Sequence, residues 1–176
     1  MRLIANYKDQ EFKDNGYNHV RNIVRGIVYN DNFEVAFVKC KSTDNFGQRD
    51  LYETPGGGVE KGEKFIDAFR REIKEEIGAE IDNIEEIGRV VDFYNLIYRK
   101  NNNHYYMAHI TSIDKPHWTE KEYTFFEGIK FLDIDRAIYE YEHSKDLPVN
   151  NIVRQRELPI LKIAKRRIEK KKKTLR

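Results

Sequence analysis

Glu72, Glu75 and Glu76 stand at i, i+3 and i+4 in a segment whose Ile66, Phe69, Ile73 and Ile77 recur at spacings of three and four. That period predicts an amphipathic helix over about 64–77, stopped by Gly78. At about 100° per residue the three carboxylates fall within an arc of roughly 100°, beside the apolar stripe rather than opposite it. Like charges so placed repel by about 0.2–0.5 kcal/mol per pair, and acids near a helix C-terminus oppose the helix dipole. The pattern needs a counter-charge. Arg70, Arg71 and Lys74 could supply it on a solvated face. So could a hard divalent cation, since Mg²⁺ prefers carboxylate and carbonyl oxygen and keeps waters that a phosphate can displace.

The chain leading into this helix runs through Pro55, Gly56, Gly57 and Gly58. Three glycines allow backbone close approaches that a Cβ would forbid, so the loop is read either as a ligand-facing turn or as an ordinary tight one. Upstream, RNIVRGIVY and FEVAFVKC predict two strands of a hairpin closed over Asn30-Asp31-Asn32; a polar loop, Lys41–Asp50, and a short segment, LYET, follow. Downstream, 86–99 and 104–113 predict a second hairpin, divided by the polar run Lys100-Asn101-Asn102-Asn103. EGIKFLD predicts a strand, and Asp133 caps a helix that buries Ile134, Ala137, Ile138 and Tyr141. A last helix is expected after Leu158-Pro159, with Leu161, Ala164 and Ile168 on its apolar face and a frayed Lys170–Lys173 end.

Written out, GGVEKGEKFIDAFRREIKEEIGA, residues 57–79, resembles the Nudix box, G-x5-E-x7-R-E-U-x-E-E-x-G-U with U apolar. The fixed positions match, and the one soft departure is Ala79, where a larger aliphatic residue is usual. The resemblance covers about 20–142 and implies an α/β fold, a Nudix-type α/β/α sandwich with a mixed β-sheet. Residues 1–19 are then an N-terminal extension and 143–176 a C-terminal extension with a basic helix.

The resemblance also implies a pyrophosphohydrolase that cleaves a diphosphate linkage in a nucleoside diphosphate derivative, with Mg²⁺ or Mn²⁺ as cofactor. Carried over by position, Glu72, Glu75, Glu76 and the carbonyl of Gly56 are the expected metal ligands. Glu75 is a further ligand or the group that orients or deprotonates water, Arg71 holds a box carboxylate, and Glu63 supports the loop against the helix. The family places its general base variably; Glu120, Glu122 and Glu127 are the candidates outside the box. Arg25 is a candidate phosphate or sugar contact and Tyr94 a candidate base-stacking residue, against plain strand packing for each. In Nudix subfamilies a proline about fifteen residues past the box marks the ADP-ribose type. Here Tyr94 and Tyr98 lie beyond Ala79 and no proline occurs between Pro55 and Pro116, which leans toward nucleotide or dinucleoside polyphosphates. A non-standard nucleoside triphosphate pyrophosphatase, an ADP-ribose hydrolase and a non-catalytic nucleotide-binding regulator are the rival readings.

Composition narrows the setting. With 176 residues, 39% apolar and 35% charged, the chain has too much large apolar material for disorder and too much charge for a bundle of membrane spans. No membrane partner is expected, and the single Cys40 in an apolar run fits a buried side chain in a reducing cytoplasm. Five histidines show no metal-ligand spacing. Residues 157–176 hold nine Lys/Arg against two Glu, so the rest of the chain is mildly acidic under a net charge of +2. A nucleic-acid partner is not expected, although such a tail allows one, and a homodimer is left open.

Overall fold

The structure, a computed structural model, describes residues 1–174. Seven strands, β1 (Leu3–Tyr7), β2 (His19–Tyr29), β3 (Val35–Asp44), β4 (Gly47–Glu53), β5 (Ala79–Tyr94), β6 (Arg99–Ile113) and β7 (Phe126–Leu132), form one mixed sheet. Four helices accompany it: α1 (Phe65–Ile77), α2 (Glu120–Tyr123), α3 (Ile134–Glu142) and α4 (Pro148–Thr174).

Alternation along the strands sorts apolar residues into two cores. On one face Val24, Val28, Ala36, Val38, Tyr106 and Ala108 pack against Ala68, Phe69, Ile73 and Ile77 of α1. On the other, Ile27, Tyr29, Val35, Phe37, Tyr105 and Met107 pack against Ile134 and Tyr141 of α3 and Val153, Ile160, Leu161, Ala164 and Ile168 of α4. The result is the expected α/β/α sandwich.

Helix α1 lies where the period put it, with Gly78 as a left-handed C-cap. Its buried stripe differs at one place: Ile66 is 39% exposed, and Ala68 packs instead.

The first hairpin closes as expected, yet β2 and β3 share only the pair Tyr29↔Val35 before they separate. Strand β2 then runs parallel to β6 from His19↔Arg99 to Tyr29↔His109, while β3 pairs with β4 on one side and β7 on the other. Into the gap comes the chain that follows β4. Val24 N–H donates to the Gly57 carbonyl (2.9 Å), Gly26 N–H to the Pro55 carbonyl (2.9 Å) and Val59 N–H to the Asn22 carbonyl (3.0 Å). The glycine loop is therefore stitched to a central strand.

Several expectations are corrected. The supposed polar loop 41–50 is mostly strand, because β3 reaches Asp44 and β4 begins at Gly47; Lys39–Asp50 and Arg49–Asp44 ion pairs let charged residues occupy the ladder. The second hairpin turns at 95–98, through Tyr98 at φ 51°, rather than at 100–103. Asn101 and Asn103 are buried strand residues whose amides donate to Asp92 Oδ1 at 2.9 and 3.1 Å.

Helix α4 starts at Pro148, so Pro148 takes the first-turn place expected of Pro159, which lies inside the helix. An interior proline removes one backbone hydrogen bond; the apolar residues directly after it, Ile160 and Leu161, are fully buried and offset that cost. The basic end is helical through Thr174 and engaged: Lys165 pairs with Asp135, Lys171 with Glu85 and Lys172 with Asp133. Cys40 is buried, and burial pushes its thiol well above the usual range. Among the described residues no helix is long and apolar enough to cross a membrane.

Candidate active site

Arg71 leaves the middle of α1 and gathers the acids around it. Its Nε and Nη2 each donate to one oxygen of Glu63 at 2.9 Å, a bidentate pair, while Nη1 reaches Glu72 Oε1 (2.8 Å) and Glu75 Oε2 (3.1 Å). Nη2 also donates to the Gly58 carbonyl at 3.0 Å. A planar fork suits this five-way arrangement, and it supplies the counter-charge that the crowded helix needs. The Glu63 hydrogen bond raises the Arg71 pKa, and the Arg71 hydrogen bond holds Glu63 down at about 2.

Glu72 and Glu76, one turn apart, are 9% and 8% exposed and face the glycine loop. Gly56 N–H donates to Glu76 Oε2 at 2.7 Å. Gly56 itself sits at φ 144°, and a Cβ there would come within 2.0 Å of the Val24 carbonyl oxygen, so only glycine fits. Burial raises the pKa of Glu72 and raises that of Glu76 well above the carboxylate range, with the neighbouring Glu72 adding to it. Glu75 is half exposed on the outer side of the cluster.

A cleft of about 440 Å³ opens in front of Glu76 and Gly56, with Arg25, Glu53, Tyr94 and Arg99 also on its walls. Arg25 is 7% exposed and is held by Asn103 Oδ1 (3.1 Å), the Thr54 carbonyl (3.4 Å) and Glu53 (3.5 Å). Tyr94 meets Phe46 edge-on at 5.5 Å and accepts from Arg156 Nη1 at 3.2 Å.

Of the bases considered, Glu122 lines this cleft and Glu127 pairs with Lys41. What carries Glu122 there is a strap over the end of α1. His117 N–H donates to the Glu75 carbonyl (2.7 Å) and Trp118 Nε1 to the Glu76 carbonyl (2.7 Å), satisfying helix-end carbonyls that lack intrahelical partners. Thr119 then caps α2, and the Glu122 carboxylate accepts from its N–H and hydroxyl. A larger cavity of about 760 Å³, around Tyr29, Phe33, His109 and Arg167, contains none of these residues.

The sequence reading missed the buried charges that lie behind the cleft wall, against Glu53, Thr54 and Tyr94. Arg156 and Glu157 of α4 are fully buried; Arg156 reaches Asp92 (3.3 Å) and Glu53 (3.5 Å), and Glu157 accepts from Tyr105 (3.0 Å) and Thr54 (2.9 Å). Burial opposes ionisation of Glu53, but Arg156, Arg25 and Arg49 outweigh it and hold its pKa down. The one available signal was a charged pair set among apolar helix residues, Ile152, Val153, Ile160 and Leu161.

A sandwich that brings a glycine loop and an acidic helix together at one cleft defines a class of α/β domain, set apart by how the loop is laced into the sheet. The matching family profile, described as NUDIX domain, spans residues 19–150, and the chain belongs to that family. It is 39% identical to the nucleoside triphosphatase NudI of Salmonella agona over 62 residues, which are 35% of this chain and 42% of that protein. To the Escherichia fergusonii NudI it is 44% identical over 59 residues, 33% of this chain and 40% of the relative. The match thus spans less than half the length of these relatives. Among solved structures, the MutT NUDIX hydrolase from Burkholderia pseudomallei superposes with a TM-score of 0.56 at 18% identity, covering 67% of this chain and 86% of that one. The NUDIX hydrolase from Nitrosomonas europaea gives 0.57 at 18%, over 77% and 88%. Both likenesses are of fold.

Proposed function

We propose that this chain hydrolyses the diphosphate linkage of a nucleotide with the aid of Mg²⁺ or Mn²⁺. The observation that carries the reading is the pair Glu72 and Glu76, two carboxylates enclosed one turn apart beside a glycine loop, the second of them on a cleft that Arg25 also lines. Enclosed acids with raised pKa values are costly to ionise unless a cation joins them. The donor set is entirely carboxylate and backbone oxygen, which suits a hard ion. Among the described residues no three acidic, histidine or cysteine side chains already stand close enough together to hold a metal by themselves, so in this reading backbone oxygen, water and phosphate complete the coordination.

In this reading Glu72, Glu76, Glu75 and the Gly56 carbonyl hold the metal, which when bound neutralises phosphate oxygens and lowers the pKa of water. Arg71 keeps Glu72 and Glu75 oriented, and Glu63 fixes Arg71 from the loop side. Arg25 steadies a phosphate oxygen across the cleft, and Tyr94 offers an aromatic face to the nucleoside. Glu122, which lines the cleft, and Glu75 are the candidates to take a proton from the attacking water. The names of the NudI relatives favour a nucleoside triphosphate among the substrates considered.

Incubation with Mg²⁺ and a panel of nucleoside triphosphates, dinucleoside polyphosphates and ADP-ribose tests this. Turnover of at least one member is expected, with a loss of at least about tenfold in Glu76→Gln. Binding without bond cleavage would support a regulator, and full activity in the variant would overturn the metal assignment.

A further inference from the structure

Arg99 begins β6 at the mouth of the cleft, opposite His19 of β2 and beside Tyr94 of β5. Its guanidinium carbon lies 5.1 Å from the centre of the Tyr94 ring. Its Nε is enclosed without any hydrogen-bond partner, and among the described residues no carboxylate stands within ion-pair distance of it.

The acids nearby are already engaged. Asp92 accepts from Asn101, Asn103 and Arg156, and Glu53 is shared by Arg25 and Arg156. Burial, with Arg21 and Arg25 as like-charged neighbours, holds the Arg99 pKa below its ordinary value. Arg21 leans on the loop, its Nη2 only 2.5 Å from where a Gly58 Cβ would stand. A partly buried guanidinium among like charges is destabilised, and a phosphate, two of whose oxygens match the planar guanidinium fork, relieves that cost better than water does. A ring against its face leaves its in-plane donors unspent.

From this arrangement we propose that Arg99 binds a phosphate of the substrate lying outside the scissile linkage, so that the cleft selects nucleotides with three or more phosphates over diphosphates joined to a neutral group. The inference rests on the hydrolase reading for its meaning, since Glu72 and Glu76 take the scissile linkage while Arg99 takes a second anion. Arg49, whose Nε is likewise enclosed without a partner, is less free because Asp44 holds it at 2.5 Å.

The test is calorimetric titration of the full chain, with magnesium present, using inorganic triphosphate and inorganic pyrophosphate. Arg99→Gln should weaken triphosphate binding about tenfold or more while leaving pyrophosphate within about twofold, as expected for one charge-assisted contact. Arg99→Lys should recover part of the loss. Equal loss for both ions, no loss for either, or no triphosphate binding by the unaltered protein would overturn the proposal. Failure of the nucleotide panel would sink the hydrolase reading separately, because the difference between the two inorganic ions does not depend on turnover.

Discussion

At the scale of single residues, the protein carries carboxylates whose protonation is pulled in opposite directions, Glu72, Glu76 and Glu63 at the site and Asp50 away from it. Burial raises Glu72 and Glu76, whereas lysine and arginine partners hold Asp50 and Glu63 at about 2. For the raised pair, stability is full below the ordinary carboxylate value and falls as pH rises, because the unfolded chain releases its protons first. For the lowered pair, stability is present above the ordinary values of 3.8 and 4.5 and is lost as pH falls toward about 2. Thermal melts in metal-free buffer should therefore show stability declining from mildly acidic to neutral pH, less steeply in Glu76→Gln. Magnesium should flatten the decline by favouring the ionised form. An unchanged slope in the variant would show that Glu76 is not the source. That the glutamates, Arg71 and Glu63 would come together was legible because the box fixes their spacing, and Gly56 directly precedes it. Arg99 and Glu53 were not, since a strand-end arginine or glutamate carries no periodic mark and gains its surroundings only when distant strands meet.

At the scale of elements, α1 was readable to within a residue because its stripe and its terminal glycine agree. The strands were readable in type but not in partnership. Nothing local says that β2 leaves β3 after one pair, because that separation is enforced by the chain after β4 competing for the same edge. The same competition leaves no room beside the loop. A Cβ on Gly57 would stand 2.4 Å from Glu72 Oε2, so Gly57→Ala must displace either the loop or the carboxylate. A loss of stability of about 1–3 kcal/mol is expected, with activity falling more than a melt shift alone explains. A chemical denaturation curve alongside an activity assay checks this; a variant with both unchanged would mean that the loop accommodates the methyl group without cost. The polar runs misled for one reason. Asn101 and Asn103, like Lys39, are strand residues whose side-chain nitrogens donate to a carboxylate nine to eleven residues away on the neighbouring strand, and such pairing is invisible to composition.

Over the whole molecule, two cores share one sheet, and α4 contributes to the second core and to the charge network behind the cleft wall at once. Arg156 is the hinge of that double role, compensating Asp92, Glu53 and Glu157 in full burial. Replacing it with Met should cost about 3–5 kcal/mol, since three carboxylates lose their shared cation. Equilibrium unfolding in urea measures this, and a loss below about 1 kcal/mol would show that water or a shifted arginine takes its place. The sandwich as a whole was legible from the box and the order of strands. The reach of α4 was not, because Pro159 looks like a beginning and only tertiary burial shows it to be a middle. One further consequence follows from the way the loop is laced to β2 through the amides of Val24 and Gly26. The amide protons that hold the loop against the sheet also set where it meets Glu76, so a substitution that shifts the loop is expected to register in folding as well as in any activity of the cleft.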